Sequence, residues 1–293
     1  LLVENNLSVE QFIQILPVDF IKQLNSIIFC GNAGDPLANK HIVEMIEYTI
    51  SIDPNIHIDL HTNGSFRDVE WWQNLAKIMP TNHTVHFGID GLSDTHSIYR
   101  IGTDYDKILR NAKTFIENGG IADWHFIRFK HNEHQVDEAR SIADQLKFKN
   151  FNVKDTIRFV DSEYYPVLDK QGNVLYNLEQ PNNQPIKFIS RNDSDNYKTV
   201  LSGRNVECKA IKDNSIYIDS QGLLWPCCYT ATIPLKVHNT NFTVDSKNII
   251  KNLTINTNTL ENTIESIVSN NLWQEFWNEY YKQLPVCLST CGK

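Results

Sequence analysis

Cysteine is the residue with the most chemistry to offer here, and its placement is lopsided. Cys30 stands alone near the start; Cys208, the adjacent Cys227 and Cys228, Cys287 and Cys291 gather towards the end. Thiolates are soft ligands that suit zinc or iron–sulfur clusters. Cys208 precedes a predicted hairpin, Cys227 ends it, and Cys287-x-x-x-Cys291 closes the sequence. Four thiolates so spaced suit a tetrahedral zinc or a four-iron cluster. Adjacent cysteines rarely both ligate one metal without strain. Cys227 is favoured because Trp225-Pro226 would fix its direction, with Cys228 as the substitute. Buried free thiols packing as small hydrophobes are the plain alternative. Cys30, at the end of an apolar run, reads as such a packed thiol.

A second group of residues lies at the ends of predicted strands. Gly31-Asn32-Ala33-Gly34-Asp35-Pro36 offers exposed backbone groups and one carboxylate. Thr62-Asn63-Gly64 and Gly88-Ile89-Asp90-Gly91 follow two later strands. Arg128 could pair with a ligand carboxylate or form a structural salt bridge. Each motif alone reads as an ordinary turn. Their common position is what suggests a site. His131, Glu133 and His134 read as a solvated helix start, and Trp71 and Trp72 as packing of a helix on the sheet and its rim.

The elements that must position these residues alternate. Ser8 and Gln11 form a capping-box start for a helix that Pro17 ends or breaks. Apolar strands are predicted at Ser26–Cys30, Ile56–His61, Thr84–Asp90, Asp123–Phe129 and Thr156–Val160. Most are followed by an amphipathic helix: His41–Ile52, one carrying Trp72, Leu75 and Ile78, one from about Asp104 to Asn118, and one carrying Val136, Ala139, Ala143 and Leu146. Asn132 and Gln135 are placed to cap that last helix. Gly119-Gly120 stops the helix before it. Such alternation implies a parallel sheet with right-handed crossovers, whose ligands sit at the C-terminal strand ends. An α/β barrel and an open doubly wound sheet both satisfy it.

Residues 162–205 are polar and aperiodic and read as a linker or excursion. From residue 206 a small α+β unit follows. It has a hairpin, Ser215–Asp219 and Leu223–Trp225, and a helix carrying Ile264, Ile267, Leu272, Phe276 and Trp277. The organisation is thus a barrel over 1–161, a connecting stretch over 162–205, and a cysteine-rich extension over 206–293.

Composition narrows the class. The 293 residues carry a net charge of −8, with no basic block, which disfavours nucleic acid and anionic membrane surfaces. No apolar run approaches a bilayer span, and LLVENNLSVEQ lacks the basic region of a signal peptide. The reading is a cytoplasmic protein.

The order Gly34-Asp35-Pro36, Thr62-Asn63-Gly64, Ile89-Asp90-Gly91, then Thr95–Arg100, then a terminal cysteine set resembles the radical S-adenosylmethionine (radical SAM) enzymes with a SPASM or twitch extension. The resemblance covers nearly the whole chain. It implies a partial (β/α)6 TIM-like barrel, N-terminally truncated, with a small cysteine-rich α+β extension. It implies S-adenosyl-L-methionine as cofactor, with Gly31, Asn32, Gly34, Asp35, Pro36, Thr62, Asn63, Gly88, Asp90 and Arg128 about it. Asp35 takes the place of a family Glu, and Gly88 that of a family Ser. The fragment Ile218–Cys227 resembles the extension's hairpin, so the resemblance implies an auxiliary 4Fe-4S cluster on Cys208, Cys227, Cys287 and Cys291. The family's C-x-x-x-C-x-x-C loop for the catalytic cluster is absent here, and is expected upstream. A ferredoxin- or flavodoxin-like donor and a peptide, protein or small-molecule substrate are the implied partners. The implied chemistry is a 5′-deoxyadenosyl radical abstracting a substrate hydrogen. Two rivals stand beside it: a catalytically silent barrel with a structural zinc or iron–sulfur site, and, more weakly, a zinc hydrolase using His61 and Asp90.

Overall fold

The computed structural model describes residues 5–31, 34–159, 164–169, 171–182, 205–231, 257–282 and 284–292. The chain divides into two compact units, Val18–Phe188 and Leu1–Pro17 with Ile189–Lys293. No helix among the described residues is long and apolar enough to cross a membrane.

Helix α1 (Val9–Ile15) opens the chain with the capping box expected of Ser8 and Gln11. Short α2 (Val18–Ile21) follows Pro17. Five strands then form one sheet in sequential order: β1 (Ser26–Phe29), β2 (His57–Thr62), β3 (His83–Gly88), β4 (Ala122–Ile127) and β5 (Asn150–Lys154). Every pairing is parallel. The crossovers carry α3 (Ile42–Ile52), α4 (Val69–Ile78), α5 (His96–Tyr99), α6 (Tyr105–Glu117) and α7 (Val136–Gln145). Asp68 and Asp104 cap α4 and α6 by accepting from Trp71 N and Lys107 N.

The strands bury alternate residues. Ile58, Leu60, Val85, Phe87, Trp124 and Phe126 are all fully enclosed. Trp72 of α4 stacks near Phe87 at 5.2 Å and meets Phe115 of α6 edge-on at 5.9 Å. Side chains alternate across a strand, so the intervening residues, among them Asp59, His61, His86, Asp123 and His125, share the other face.

Three elements differ from the sequence reading. The fifth strand is Asn150–Lys154, not Thr156–Val160. Ile157–Phe159 is a 3-10 turn, and Val160 lies outside the described residues. Asn150–Lys154 pairs along β4 even though only Phe151 and Val153 are apolar. Phe159 is instead drawn into a cluster with Phe129, Val167 and Leu178. Those last two belong to an antiparallel hairpin, β6 (Tyr164–Leu168) and β7 (Val174–Glu179), within the stretch read as a linker. Nor does the capping box at α7 form. Asn132 makes no side-chain cap bond, because its amide is used elsewhere, as described below.

In the second unit, α8 (Lys209–Lys212) precedes the expected hairpin, β8 (Tyr217–Ile218) and β9 (Leu224–Trp225). Asp219 shapes its turn, accepting from Gln221 N and Leu223 N and from the Trp225 indole at 2.8 Å. Helix α9 (Cys228–Ala231) follows at once. The single helix expected through Ile264 and Trp277 is two, α10 (Ile264–Val268) and α11 (Asn271–Asn278). Asn270 separates them, capping the second by accepting from Leu272 N. Helix α12 (Pro285–Cys291) ends the described chain.

Candidate functional site

The C-terminal strand ends of the first unit are tied together through side chains. Asp35 follows β1 and caps the turn Pro36–Ala38, accepting from Leu37 N at 2.9 Å. The same carboxylate reaches the end of β2, taking the Thr62 hydroxyl at 2.9 and 3.0 Å and Asn63 N at 2.7 Å. Burial holds its carboxyl above the usual value, opposed by those donors and by Arg100. Gly31 and Gly34 close the turn before it so tightly that a Cβ on Gly31 would lie 2.1 Å from the Gly34 carbonyl oxygen. Asn32 lies outside the described residues. Pro36 begins the short turn itself.

Asp90 lies just beyond β3 and is fully buried. One oxygen accepts from Ile127 N at 2.5 Å, and the other from Arg100 Nε at 2.6 Å. Its backbone is held too. Asn132 donates to the Asp90 carbonyl and to that of Ile127, while accepting from Phe129 N. Gln135 serves the neighbouring turn, accepting from Leu92 N and from the Thr95 hydroxyl and donating to Asp94. Buried amides with every group paired make a stiff frame. This is why neither residue is left to cap α7.

Arg100, which the sequence reading did not single out as a site residue, joins the two carboxylates. Asp90 is its hydrogen-bonded partner, and both Asp90 and Asp35 favour its charged form. Its guanidinium lies where a side chain on residue 88 would go: a Cβ on Gly88 would sit 2.7 Å from Nη2. Asp35, Thr62, Asn63, Gly88 and Asp90 are therefore gathered about one guanidinium. Arg128 is engaged otherwise, forking onto Asp155 Oδ1 at 2.6 and 3.0 Å.

The second unit gathers thiols. The Val206–Gly292 bridge and the bond from Glu207 N to the Cys291 carbonyl hold Cys208 beside the chain end. Cys287 and Cys291 lie four apart on α12, hence on one face. Burial pushes the Cys287 thiol far up, and Cys227, Cys208 and Cys291 add to it through their charge. Burial likewise raises Cys208, against the N–H groups of Ile211 and Ala210, with Cys291 and Cys227 again contributing. The four thiols are thus within electrostatic reach of one another. Cys227 is fixed by Thr230, whose hydroxyl accepts from its N–H and donates to its carbonyl.

The sequence profile of the radical SAM superfamily matches residues 3–143. This stretch belongs to the radical SAM superfamily. Solved structures resemble the chain over most of its length. AnSMEcpe with bound AdoMet shares 15% identity at a TM-score of 0.52, over 96% of this chain and 79% of that one. AnSMEcpe with bound AdoMet and the Cp18Cys peptide gives 14% and 0.52, over 96% and 80%. Streptococcus suis SuiB bound to the precursor peptide SuiA gives 14% and 0.52, over 91% of this chain and 60% of SuiB. At these identities the likeness is one of fold. No curated protein matches the sequence. The five parallel strands with small antiparallel hairpins agree with a radical SAM partial barrel.

Proposed function

We propose that this chain is the cofactor-binding barrel and auxiliary-cluster extension, of SPASM or twitch type, of a radical SAM enzyme that modifies a peptide or protein. The observation that carries the reading is the carboxylate–guanidinium arrangement at the strand ends. S-adenosylmethionine presents an ammonium and a carboxylate on one carbon. Three donors occupy the Asp35 carboxylate, which has about four acceptor positions, so one is left for an ammonium. Arg100 spends Nε on Asp90, and its Nη groups make no hydrogen bond among the described residues. They would meet a carboxylate as a planar fork. The residues present therefore fit the cofactor. When bound, it supplies hydrogen-atom abstraction, and the chain's part is to orient it and exclude water.

The four thiols fit an auxiliary cluster. A thiol held protonated by burial and by other thiols becomes a good ligand once a metal neutralises their charge. None of the six cysteines stands in the C-x-x-x-C-x-x-C spacing of the catalytic cluster. A peptide or protein substrate is supported by the structural neighbours, two of which carry a bound peptide.

Isothermal titration of the chain with S-adenosylmethionine tests the cofactor assignment. Saturable binding that Arg100→Met weakens more than tenfold is expected. A folded protein with no measurable binding would overturn it. Peptide binding that strengthens in the presence of S-adenosylmethionine is the expected result for the substrate class.

A further inference from the structure

The face of the sheet opposite the aromatic core carries a row of imidazoles and carboxylates. Parallel register sets His61 of β2 beside His86 of β3, His86 beside Asp123 of β4, and Gly88 beside His125. The three rings stand close, with centroids 4.4 Å apart for His61 and His86, 4.7 Å for His86 and His125, and 5.7 Å for His61 and His125. His86 Nδ1 lies 3.2 Å from His125 Nε2 and 3.7 Å from Asp123 Oδ2. One ligand atom from each of these three residues falls within 4.8 Å of the others.

We infer that His86, Asp123 and His125 form a binding site for a divalent first-row transition ion on the inner face of the sheet. Two nitrogens bound tetrahedrally at about 2.0–2.1 Å stand about 3.3–3.4 Å apart, close to the 3.2 Å found here. The outer groups suit ligation as well. His86 Nε2 is 2.6 Å from Asp59 Oδ1, which fixes the proton there and turns the Nδ1 lone pair inward. That is the carboxylate–histidine support common behind metal-bound imidazole. Asn150 Nδ2 donates to Asp123 Oδ1 at 2.9 Å and leaves Oδ2 for the ion. Imidazole nitrogen with one carboxylate oxygen selects zinc, cobalt, nickel or ferrous iron over magnesium or calcium. Three protein ligands leave a fourth position open, beside His61.

One contact opposes metal binding and sharpens the test. Lys154 Nζ lies 3.0 Å from His125 Nδ1. An ammonium donating there forces the proton of neutral His125 onto Nε2, the atom that must ligate. Metal binding therefore requires the Lys154 head group to leave Nδ1. Lys154→Met should tighten the ion several-fold. A hydrogen-bonded chain from Lys154 through both rings to Asp59, with no metal role, predicts no gain.

Cobalt(II) titration of the full chain provides the measurement, followed by absorption spectra and by equivalents bound after desalting. Cobalt on nitrogen and oxygen shows weak ligand-field bands without thiolate charge transfer, which separates this site from the cysteines. Wild-type protein should bind one such equivalent, lost in His125→Gln and in His86→Gln, retained in Cys291→Ser, and tighter in Lys154→Met. Zinc should raise the melting temperature of Cys291→Ser protein more than that of Cys291→Ser/His125→Gln, a difference to which the remaining thiols contribute equally. No non-thiolate cobalt in folded wild type, or binding that survives both histidine substitutions, would overturn the site.

Discussion

Arg100 Nε sits 2.6 Å from a fully buried Asp90 oxygen, and the far end of the same guanidinium fills the space over Gly88. The pair joins the β3 turn to β4, since Asp90 also accepts from Ile127 N. Removing either partner strands a buried charge, which costs about 3–5 kcal/mol. Asp90→Asn and Arg100→Met should each lower unfolding stability by that amount, and the double variant should recover part of it. Chemical denaturation measures all three. Additive losses in the double variant would show that the two charges do not depend on each other.

Gly88 offers a subtler probe of the same contact. Gly88→Ser would place a Cβ 2.7 Å from Nη2. The struck atom ends a flexible side chain, so the fold should survive with a loss of about 1 kcal/mol or less. The displaced guanidinium should bind S-adenosylmethionine several-fold more weakly. Unchanged affinity in titration calorimetry would remove Arg100 from the cofactor site.

Asp35 is both a cap and a clamp. Asp35→Ala removes the Leu37 cap, worth about 1 kcal/mol, and the charged bonds to Thr62 and Asn63, worth about 1.5–3 kcal/mol each. Stability should fall by about 2–4 kcal/mol, less than the sum of these contributions, because the substitution also relieves the cost of burying the carboxylate. Cofactor affinity should fall about tenfold to a hundredfold. Thr62→Val separates the roles. It breaks the clamp at its hydroxyl but keeps the carboxylate, so stability should drop while affinity stays within a few-fold. A loss of affinity equal to that of Asp35→Ala would mean that the ammonium does not meet the carboxylate.

What was legible in the sequence was what local pattern determines. Strands with dense apolar runs, the Ser8 capping box and the turn of Ser220–Gly222 all follow from neighbours in the chain. So does the gathering of Asp35, Thr62, Asn63, Gly88 and Asp90, because parallel strands present their C-terminal ends together. The misses are tertiary. Asn150–Lys154 is a weak strand by composition, made a strand by pairing with β4, while the stronger pattern at Thr156–Val160 was spent on packing Phe159 against the β6–β7 hairpin. Arg100 gains meaning only from what lies beside Gly88. The imidazole row is built from residues on separate strands. Its one sequence trace was alternation, His57-x-Asp59-x-His61 and Asp123-x-His125, which puts those side chains on one face of the sheet.

The cysteine assignment makes a sharp distinction between neighbours. Cys227 shares the charge environment of Cys287 and Cys208. After anaerobic reconstitution, Cys228→Ser should keep wild-type iron, sulfide and visible charge-transfer absorption, while Cys227→Ser should lose most of each. Stoichiometric zinc without iron in the anaerobically purified protein would assign the site to zinc instead. Equal losses in both variants would show that the adjacent thiols exchange as ligands.

His96 sets an acid limit on the frame around Asp90. It is buried, and its Nδ1 accepts from Asp90 N at 3.2 Å while Nε2 meets the Thr103 hydroxyl at 2.9 Å. Burial, and then the Arg100 charge, depress its pKa from 6.5 to about 4. The Tyr105 ring faces it at 5.9 Å, and burial, followed by Asp106, Glu138 and Asp94, keeps that phenol protonated up to about pH 12. Between pH 6.5 and 4 the unfolded state therefore binds a proton at His96 that the folded state refuses. Stability rises with pH across this window, and is lost as pH falls through it. His96→Gln, whose amide oxygen can still accept from Asp90 N, should remove about one proton from the slope of unfolding free energy against pH, while leaving the slope above pH 7 unchanged. An identical slope in wild type and variant would place the acid sensitivity of the fold elsewhere.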